Sequence, residues 1–182
     1  MEYLTKEIKL KNNKTYIFRQ IQENDAEKLM VFMKQVLSET NNLSRLPDEI
    51  TLEGEKKYVN DHIDNKNGIT ILVEKDNKFV GSCNFEKKTG CKKISHKCSF
   101  GICLLQEVCG QGIGTRLFEE LIKYAKEYSC EQAELSVVTT NLPAINLYIK
   151  MGFKIAGTMP KSMKNEDGTY IDTYIMYLDL SE

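Results

Sequence analysis

The sequence predicts a mixed α/β fold in a single domain that covers residues 1–182. Three observations carry this prediction. The length is that of one ordinary domain and is large enough to bury a sizeable core. Apolar residues switch along the chain between the spacing of amphipathic helices and the alternation of strands. No internal repeat, low-complexity tract or linker divides the sequence.

The first half of the sequence predicts two strands followed by two helices. The strands flank turn-forming residues at 11–14, and the helices carry apolar residues at helical spacing. Asn24-Asp25 precedes the first helix and is expected to cap it. Residues 39–49 show no periodicity, so a loop is expected between the helices. The expected elements are strands 8–10 and 16–21 and helices 26–37 and 52–63.

The second half of the sequence is richer in strands. Residues 112–128 carry apolar side chains at four-residue intervals, which is typical of an amphipathic helix. A shorter helix is expected from Pro143 to Met151, stopped by Gly152. The expected strands are 69–74, 78–85, 95–105, 134–138, 153–158 and 170–180.

Charge and cysteine usage exclude several classes of partner. The chain carries 25 basic and 26 acidic residues spread along its length, so nothing favours nucleic acid or an anionic membrane. Apolar runs such as 69–73 are too short to span a bilayer, and the N-terminal residues lack a signal-peptide pattern. The six cysteines form no CxxC pair and the two histidines no HxxxH. We therefore expect a cytoplasmic protein with free thiols and no metal.

Three glycines at every second position lie between the strand ending at Leu104-Leu105 and the helix that follows. A glycine-rich turn before a helix is a known way to bind phosphate, because backbone N–H groups and the helix dipole face the anion. The P-loop pattern is absent, and the dinucleotide pattern would require glycine at Thr115 or Leu117. The glycines are Gly110, Gly112 and Gly114.

Two motifs in a fixed order fit a third kind of phosphate-binding turn. Residues 109–114 supply both glycines of the pattern [RQ]-x-x-G-x-[GA], with Cys109 where Arg or Gln is usual. The pattern N-x-x-A-x-x-L-Y-x-K-x-G-F is matched at every fixed position from Asn141 to Phe153. One helix and one strand separate the motifs. From about residue 15 to 180 the chain therefore resembles the GNAT superfamily of acyl-CoA-dependent N-acetyltransferases.

The resemblance implies a fold, a co-substrate and a reaction. The expected fold is the GNAT fold: a twisted, mostly antiparallel sheet of about seven strands with about four helices. The sheet would be splayed between the strands that flank the coenzyme site. Acetyl-CoA would give its acetyl group directly to a primary amine of a small molecule or peptide, without a metal. Homodimers are common in the family, and the final strand, 170–180, is expected to be exposed and able to pair.

The resemblance also implies which residues bind the coenzyme. The strand end at Leu104 and Leu105 would pair with the pantetheine arm, and the backbone amides of the turn would hold the pyrophosphate. Asn141 and Asn146 would contact the arm, and Asn141 is also expected to cap the helix near Pro143. The turn residues are Cys109, Gly110, Gln111, Gly112, Ile113, Gly114 and Thr115.

Tyr148 is the expected acid and a further coenzyme contact, because by resemblance it donates a proton to the departing thiolate. An alkyl amine with a pKa near 10.4 is almost wholly protonated at neutral pH, so a base is also needed. Many relatives place a Glu on the strand before the glycine turn, and Ser99 takes that place here. Glu39, expected in the loop between the first helices, and His96 are the alternatives, and the choice stays open.

Three functions are compatible with these residues. The leading hypothesis is an amine acetyltransferase, and the acidic loop residues Glu39, Asp48 and Glu49 favour a cationic acceptor. A binding module that senses acyl-CoA without chemistry is the alternative, since Ser99 is a poor base. The third hypothesis is a different nucleotide-binding enzyme.

Overall fold

The computed structural model describes residues 5–10 and 13–181, which form eight strands and four α-helices. The predicted turn at 11–14 lies partly outside the described residues, because Lys11 and Asn12 are not among them. The strands are β1 (Lys6–Lys9), β2 (Thr15–Gln20), β3 (Gly68–Lys75), β4 (Lys78–Lys87), β5 (Lys97–Leu104), β6 (Gln132–Val138), β7 (Lys154–Lys164) and β8 (Tyr170–Asp179). The helices are α1 (Ala26–Glu39), α2 (Leu52–Ile63), α3 (Ile113–Glu127) and α4 (Leu142–Lys150).

All eight strands join one sheet in the order β1-β2-β3-β4-β5-β6-β8-β7. Every neighbouring pair is antiparallel except β5 and β6, which are parallel. The predicted mixed, mostly antiparallel fold is confirmed, with eight strands in place of about seven. None of the helices in the described residues is long and apolar enough to cross a membrane.

The far end of the sheet differs from the prediction. The final strand β8 lies between β6 and β7, so its backbone is paired on both sides and β7 forms the edge. The expectation that the final strand is exposed and able to pair is therefore wrong. Strand β7 also extends to Lys164, beyond the predicted end at residue 158. Its register shifts between Met159 and Met163, and such an irregularity on an edge strand tolerates Pro160, which otherwise signals a strand end.

The predicted start of α1 is confirmed, but the cap is not. Asp25 precedes the helix, yet its carboxylate makes no capping bond to a helix amide. The carboxylate instead accepts two 2.8 Å hydrogen bonds from Arg19 and one from the Gln22 amide. Helix α2 does have a side-chain cap, since the Thr51 hydroxyl accepts from the Gly54 amide at 3.1 Å.

The helices cover opposite faces of the sheet. Strand residues alternate between faces, and Phe100 packs edge-on against Phe118 of α3 at 6.0 Å between ring centroids. The next residue, Gly101, lines a cavity together with Met33 of α1 and Tyr58 of α2. Helix α3 therefore covers one face of β5, and α1 with α2 covers the other.

Phe118 is at the centre of an aromatic cluster that joins α3, α4 and the sheet. Its fully buried ring lies 5.1 Å from Tyr148 and 5.8 Å from Phe153, between centroids. Truncation would leave a cavity that these rings cannot fill, so we expect Phe118→Ala to lower the free energy of unfolding by about 3–5 kcal/mol in urea denaturation. Phe118→Leu should cost clearly less. A loss below about 1 kcal/mol for the alanine variant would contradict this packing account.

Candidate active site

Strands β5 and β6 separate part-way along their length. They pair only at Lys97–Gln132, Cys98–Ala133 and Ser99–Glu134. On its other side β5 stays paired with β4 as far as Leu104. The edge of β5 from Phe100 to Leu104 therefore faces a gap, which we call the strand gap. This is the splay that the sequence resemblance implies.

Leu104 and Leu105 present their backbones in opposite directions. The Leu105 amide donates to Val80 O at 3.0 Å, which continues the pairing with β4. Successive backbone amides of a strand point to opposite edges, so the Leu104 amide is directed into the strand gap. The Leu105 side chain is buried in the core. Leu104 thus offers a backbone donor to a ligand in the gap, whereas the backbone donor of Leu105 is used inside the sheet.

The glycine turn needs its glycines for two different reasons. Gly110 and Gly112 have φ angles of 73° and 90°, the left-handed region that favours glycine, and a Cβ on either would meet no atom within 4 Å. Gly114 lies inside α3, where a Cβ would come within 2.8 Å of Leu147 Cδ2. Gly110 and Gly112 therefore shape the turn, and Gly114 allows α3 and α4 to approach.

The N-terminus of α3 presents several backbone donors. The first helical bond runs from the Arg116 amide to Gly112 O at 3.2 Å. The amides of Ile113, Gly114 and Thr115 precede this bond, so they have no acceptor within the helix. Together with the positive end of the helix dipole, they form an anion-binding geometry.

Two other turn residues have structural partners. The Cys109 amide donates to Gln106 O at 3.0 Å, so it is used within the turn. The Gln111 side chain accepts from the Tyr16 hydroxyl at 2.8 Å and donates to Glu107 O at 2.6 Å, which attaches the turn to β2.

Cys109 brings no positive charge to the position where the family pattern has Arg or Gln. Partial burial of the thiol, and the Glu39 carboxylate, raise its pKa. The thiol is therefore neutral at physiological pH, and it lies 3.4 Å from Leu105 O. Cys109 therefore offers no charged side chain to a phosphate, unlike an Arg at the same position.

Tyr148 and Asn141 lie at two ends of α4. The Tyr148 ring packs on Phe118, and burial together with the Cys103 thiol raises the pKa of its hydroxyl to about 12. The hydroxyl is therefore protonated at neutral pH. The Asn141 side chain accepts from the Ala144 amide at 3.3 Å, which confirms the predicted helix cap. Asn146 is exposed on the same helix.

The structure does not bring Ser99 or His96 to the end of β5 that faces the glycine turn. Ser99 forms the last pair with β6, and its hydroxyl is 3.5 Å from Glu86 O. Ser99 lies five residue steps before Leu104 along the strand, which corresponds to about 16 Å. His96 precedes the strand and lies farther away.

Glu39 does lie at the Leu104 end of the strand, but it is the last residue of α1 and not a loop residue as predicted. Its Oε2 accepts from the Gln106 amide at 2.8 Å, and its Oε1 accepts from Gln35 Nε2 at 3.0 Å. Its backbone carbonyl accepts from Gln106 Nε2 at 2.7 Å. The carboxylate therefore attaches α1 to the residues that follow β5.

A cavity of about 210 Å³ lies on the opposite face of β5 from α3, and we call it the α1–α2 cavity. It contains a buried carboxylate, Glu55, which the sequence analysis missed. The available signal was the apolar stripe of α2, where Glu55 falls between Leu52 and Val59 at helical spacing. The lining residues are Leu29, Met33, Leu43, Arg45, Glu55, Tyr58, Ser82, Asn84, Gly101, Ile102 and Cys103.

A larger, open depression of about 460 Å³ lies at the other end of β5, beside Lys87, Lys92 and Tyr128. It is remote from the strand gap. Within the part of the chain that the structure describes, no group of three His, Cys, Asp or Glu side chains is arranged to hold a metal ion.

Residues 33–153, which include α2, the strand gap, the glycine turn and α4, match the family model described as "Acetyltransferase (GNAT) family". The chain belongs to this family. Among its GNAT relatives is the L-amino acid N-acetyltransferase AaaT of Escherichia coli (strain K12), which is 37% identical over 84 residues. Those residues are 45% of this chain and 51% of AaaT, so the chain spans about half the length of that relative.

Solved GNAT structures match over most of the chain. An acetyltransferase of the GNAT family from Streptococcus pneumoniae has a TM-score of 0.81 and 29% identity, over 89% of this chain and 98% of that one. The structure of yncA from Salmonella typhimurium, solved with its cofactor acetyl-CoA, has a TM-score of 0.79 and 16% identity, over 92% and 95% of the two chains. At 16% identity, the match to yncA shows only that the two proteins share a fold.

Proposed function

We propose that this protein transfers an acetyl group from acetyl-CoA directly to a primary amine. The observation that carries the proposal is the strand gap of β5, which ends beside the N-terminus of α3, since a Cβ on Gly114 would lie 3.8 Å from Leu104 Cδ1. Cys103 of the same strand interacts with the Tyr148 hydroxyl, which is protonated at neutral pH. Family membership supports the proposal, and so does the open space in front of Gly110 and Gly112, where a phosphate could approach the backbone. Acetyl-CoA supplies an acetyl group activated as a thioester.

The backbone donors have separate tasks in this proposal. The amides of Ile113, Gly114 and Thr115 bind the pyrophosphate at the helix N-terminus. The Leu104 amide, directed into the strand gap, pairs with the pantetheine arm or with the thioester carbonyl oxygen, where negative charge develops during transfer. Asn146 contacts the arm from α4. Asn141 acts by holding the first turn of that helix.

Tyr148 acts on the leaving sulfur. Its hydroxyl has a pKa of about 12, whereas a free thiol titrates near 8.5. Full proton transfer to the thiolate is therefore uphill by roughly 3.5 pKa units, or about 5 kcal/mol. Tyr148 donates a hydrogen bond to the developing thiolate. It passes its proton to the sulfur at the same time as it receives a proton from the attacking nitrogen, so the tyrosine ends the reaction protonated.

The Cys103 thiol interacts with Tyr148, and in this proposal it is not the nucleophile. It lines the α1–α2 cavity, and burial raises the pKa of its thiol to about 12, so no thiolate is present at neutral pH. We expect no acetylated Cys103 in the mass spectrum of the wild type incubated with acetyl-CoA, with or without an amine, because the acetyl group passes directly to the amine. An acetylated Cys103 that disappears when the amine is added would contradict direct transfer.

Thiol release from acetyl-CoA, measured across a panel of primary amines, tests the proposed function. Release that depends on one class of amine is the expected result. Acetyl-CoA binding without release on any amine would favour the sensor module instead. Binding of NAD without competition from CoA would favour a different nucleotide-binding enzyme.

A further inference from the structure

Glu55 places a carboxyl group where a negative charge is costly. The residue is 2% exposed, and its Oε1 accepts no hydrogen bond within the part of the chain that the structure describes. Arg45 Nη1 lies 3.5 Å from Oε1, a contact at the limit of hydrogen-bond length. An ionised carboxylate that is buried and incompletely bonded destabilises a fold. The α1–α2 cavity beside it provides space for a ligand that completes these bonds.

The α1–α2 cavity and the strand gap share β5. Ile102 and Cys103 line the cavity, and the same strand borders the gap at its edge. The Cys103 thiol is close enough to both groups to interact electrostatically: Glu55 raises the pKa of Cys103, and Cys103 raises the pKa of Tyr148. Glu55 and Tyr148 therefore both interact with the same residue of β5.

We propose that the α1–α2 cavity binds the acceptor, with Glu55 holding its ammonium group and taking one proton from it, and Arg45 holding an anionic group of the same molecule. The acceptor is thus a small zwitterionic amine of the amino acid type. This inference rests on the proposed acetyltransferase function. It replaces Ser99, His96 and Glu39 as the base with a buried carboxylate that lines a cavity and whose Oε1 has only a long contact with Arg45.

The proton and bond changes balance. The carboxylate of Glu55 takes one proton from the ammonium, which leaves a neutral amine. The nitrogen lone pair forms a bond to the thioester carbonyl carbon, and the carbon–sulfur bond then breaks. Tyr148 supplies a proton to the sulfur and recovers one from the new amide nitrogen. Glu55 finally releases its proton to solvent, so that one proton leaves per acetyl group transferred.

Charge balance in the cavity selects a zwitterion. The Arg45 side chain is 45% exposed and also donates to Glu49 O at 3.3 Å, which places it between the cavity and solvent. An ammonium that takes over Oε1 releases Arg45 from Glu55. A carboxylate on the acceptor then pairs with Arg45, whereas a simple cation would leave a net positive charge in the cavity.

Burial raises the pKa of Glu55, and the charge and hydrogen bond of Arg45 oppose this effect. The other titratable groups facing the site are Tyr58 of α2 and Cys103 of β5, and both are neutral because their own pKa values are raised. A carboxylate with a raised pKa is a better base toward an ammonium than an exposed one.

The experiment compares Glu55→Gln with two matched variants. Glu53→Gln removes an exposed carboxylate from the same first turn of α2. Arg45→Met removes the ion pair but keeps the Glu55 carboxylate. The probes are the L-amino acids, each paired with its own carboxamide, together with acetyl-CoA. Measurements are kcat/KM for each amine between pH 6 and 10, KM for acetyl-CoA, and the thermal midpoint of each variant.

We expect Glu55→Gln to lower kcat/KM for the amine by about 10²–10³-fold at pH 7 without changing KM for acetyl-CoA. The difference in kcat/KM between Glu55→Gln and the wild type should become smaller as pH rises. The variant lacks the base and uses only amine that is already neutral, and the fraction of neutral amine grows with pH. Its thermal midpoint should not fall at pH 8: a raised pKa means that ionised Glu55 costs stability above that pKa, and glutamine removes this cost. Glu53→Gln should match the wild type.

Arg45→Met should remove the preference for amino acids over their carboxamides, which we expect to be about tenfold in the wild type. Equal rates for acids and carboxamides in the wild type would overturn the zwitterion assignment. Two results would overturn the role of Glu55 without affecting the proposed function. One is a Glu55→Gln variant with wild-type kcat/KM, and the other is a Glu55→Gln variant that loses the same rate and the same thermal midpoint as Arg45→Met. A wild type that acetylates no amine would overturn the proposed function, and this inference with it.

Discussion

Gly112→Val is expected to abolish acetyl-CoA binding while the protein still folds. The valine side chain would project from the glycine turn into the open space before the α3 amides, where a Cβ meets no protein atom within 4 Å. In the proposed function, the pyrophosphate approaches the backbone through this space. We expect the dissociation constant measured by calorimetry to rise at least about 100-fold.

Gly90→Val is the matched control. Gly90 has a φ of 87°, close to the 90° of Gly112, and a Cβ on it also meets open space. Both variants therefore carry the same backbone strain, of about 1–3 kcal/mol, but Gly90 lies in the loop before β5, away from the strand gap. The proposed phosphate site is supported if the two variants lose equal stability and only Gly112→Val loses coenzyme binding. If Gly112→Val binds acetyl-CoA with the affinity of the wild type, the glycine turn does not bind the phosphates.

Tyr148→Phe is expected to lower kcat by about 100-fold with little change in the dissociation constant for acetyl-CoA. The substitution removes the hydroxyl that we propose as the proton donor to the leaving sulfur, and it keeps the ring contacts with Phe118 and Phe153. The thermal midpoint should therefore stay near that of the wild type. Tyr128→Phe, on a ring that packs against Phe85, is the control and should be fully active.

The pH dependence gives a second check on Tyr148. Because its pKa is raised to about 12, the hydroxyl remains protonated, and the acid should not be lost as pH rises from 8 to 10. The wild-type kcat should therefore show no alkaline decline from this group in that range. Turnover of Tyr148→Phe equal to that of the wild type at every pH would exclude the role of acid.

Features encoded by neighbouring residues could be predicted from the sequence. The glycine turn and the start of α3 follow from local backbone needs, and the Asn141 cap follows from the contact with Ala144. The strand gap itself followed from the family resemblance. Asp25 shows the limit of local signals, because the long-range partner Arg19 takes the carboxylate that was expected to cap α1.

Features that depend on tertiary contacts could not be predicted in this way. Glu39 appeared to belong to an acidic loop, and its carboxylate instead bonds a backbone amide 67 residues away in the chain. Glu55 was not singled out from the sequence, because its burial and its contact with Arg45 depend on tertiary packing. The position of β8 inside the sheet likewise depends on pairings with both β6 and β7 that no single segment encodes.

Transfer of a labelled acetyl group is the most direct test of the central claim. The wild type is incubated with acetyl-CoA carrying ¹³C in the acetyl carbonyl and with the best amine of the panel, and the products are followed by NMR and thiol titration. We predict one N-acetyl amide for each thiol released, with the label in the amide carbonyl. Thiol release with labelled acetate and no amide, or acetyl-CoA bound without any turnover, would contradict the account.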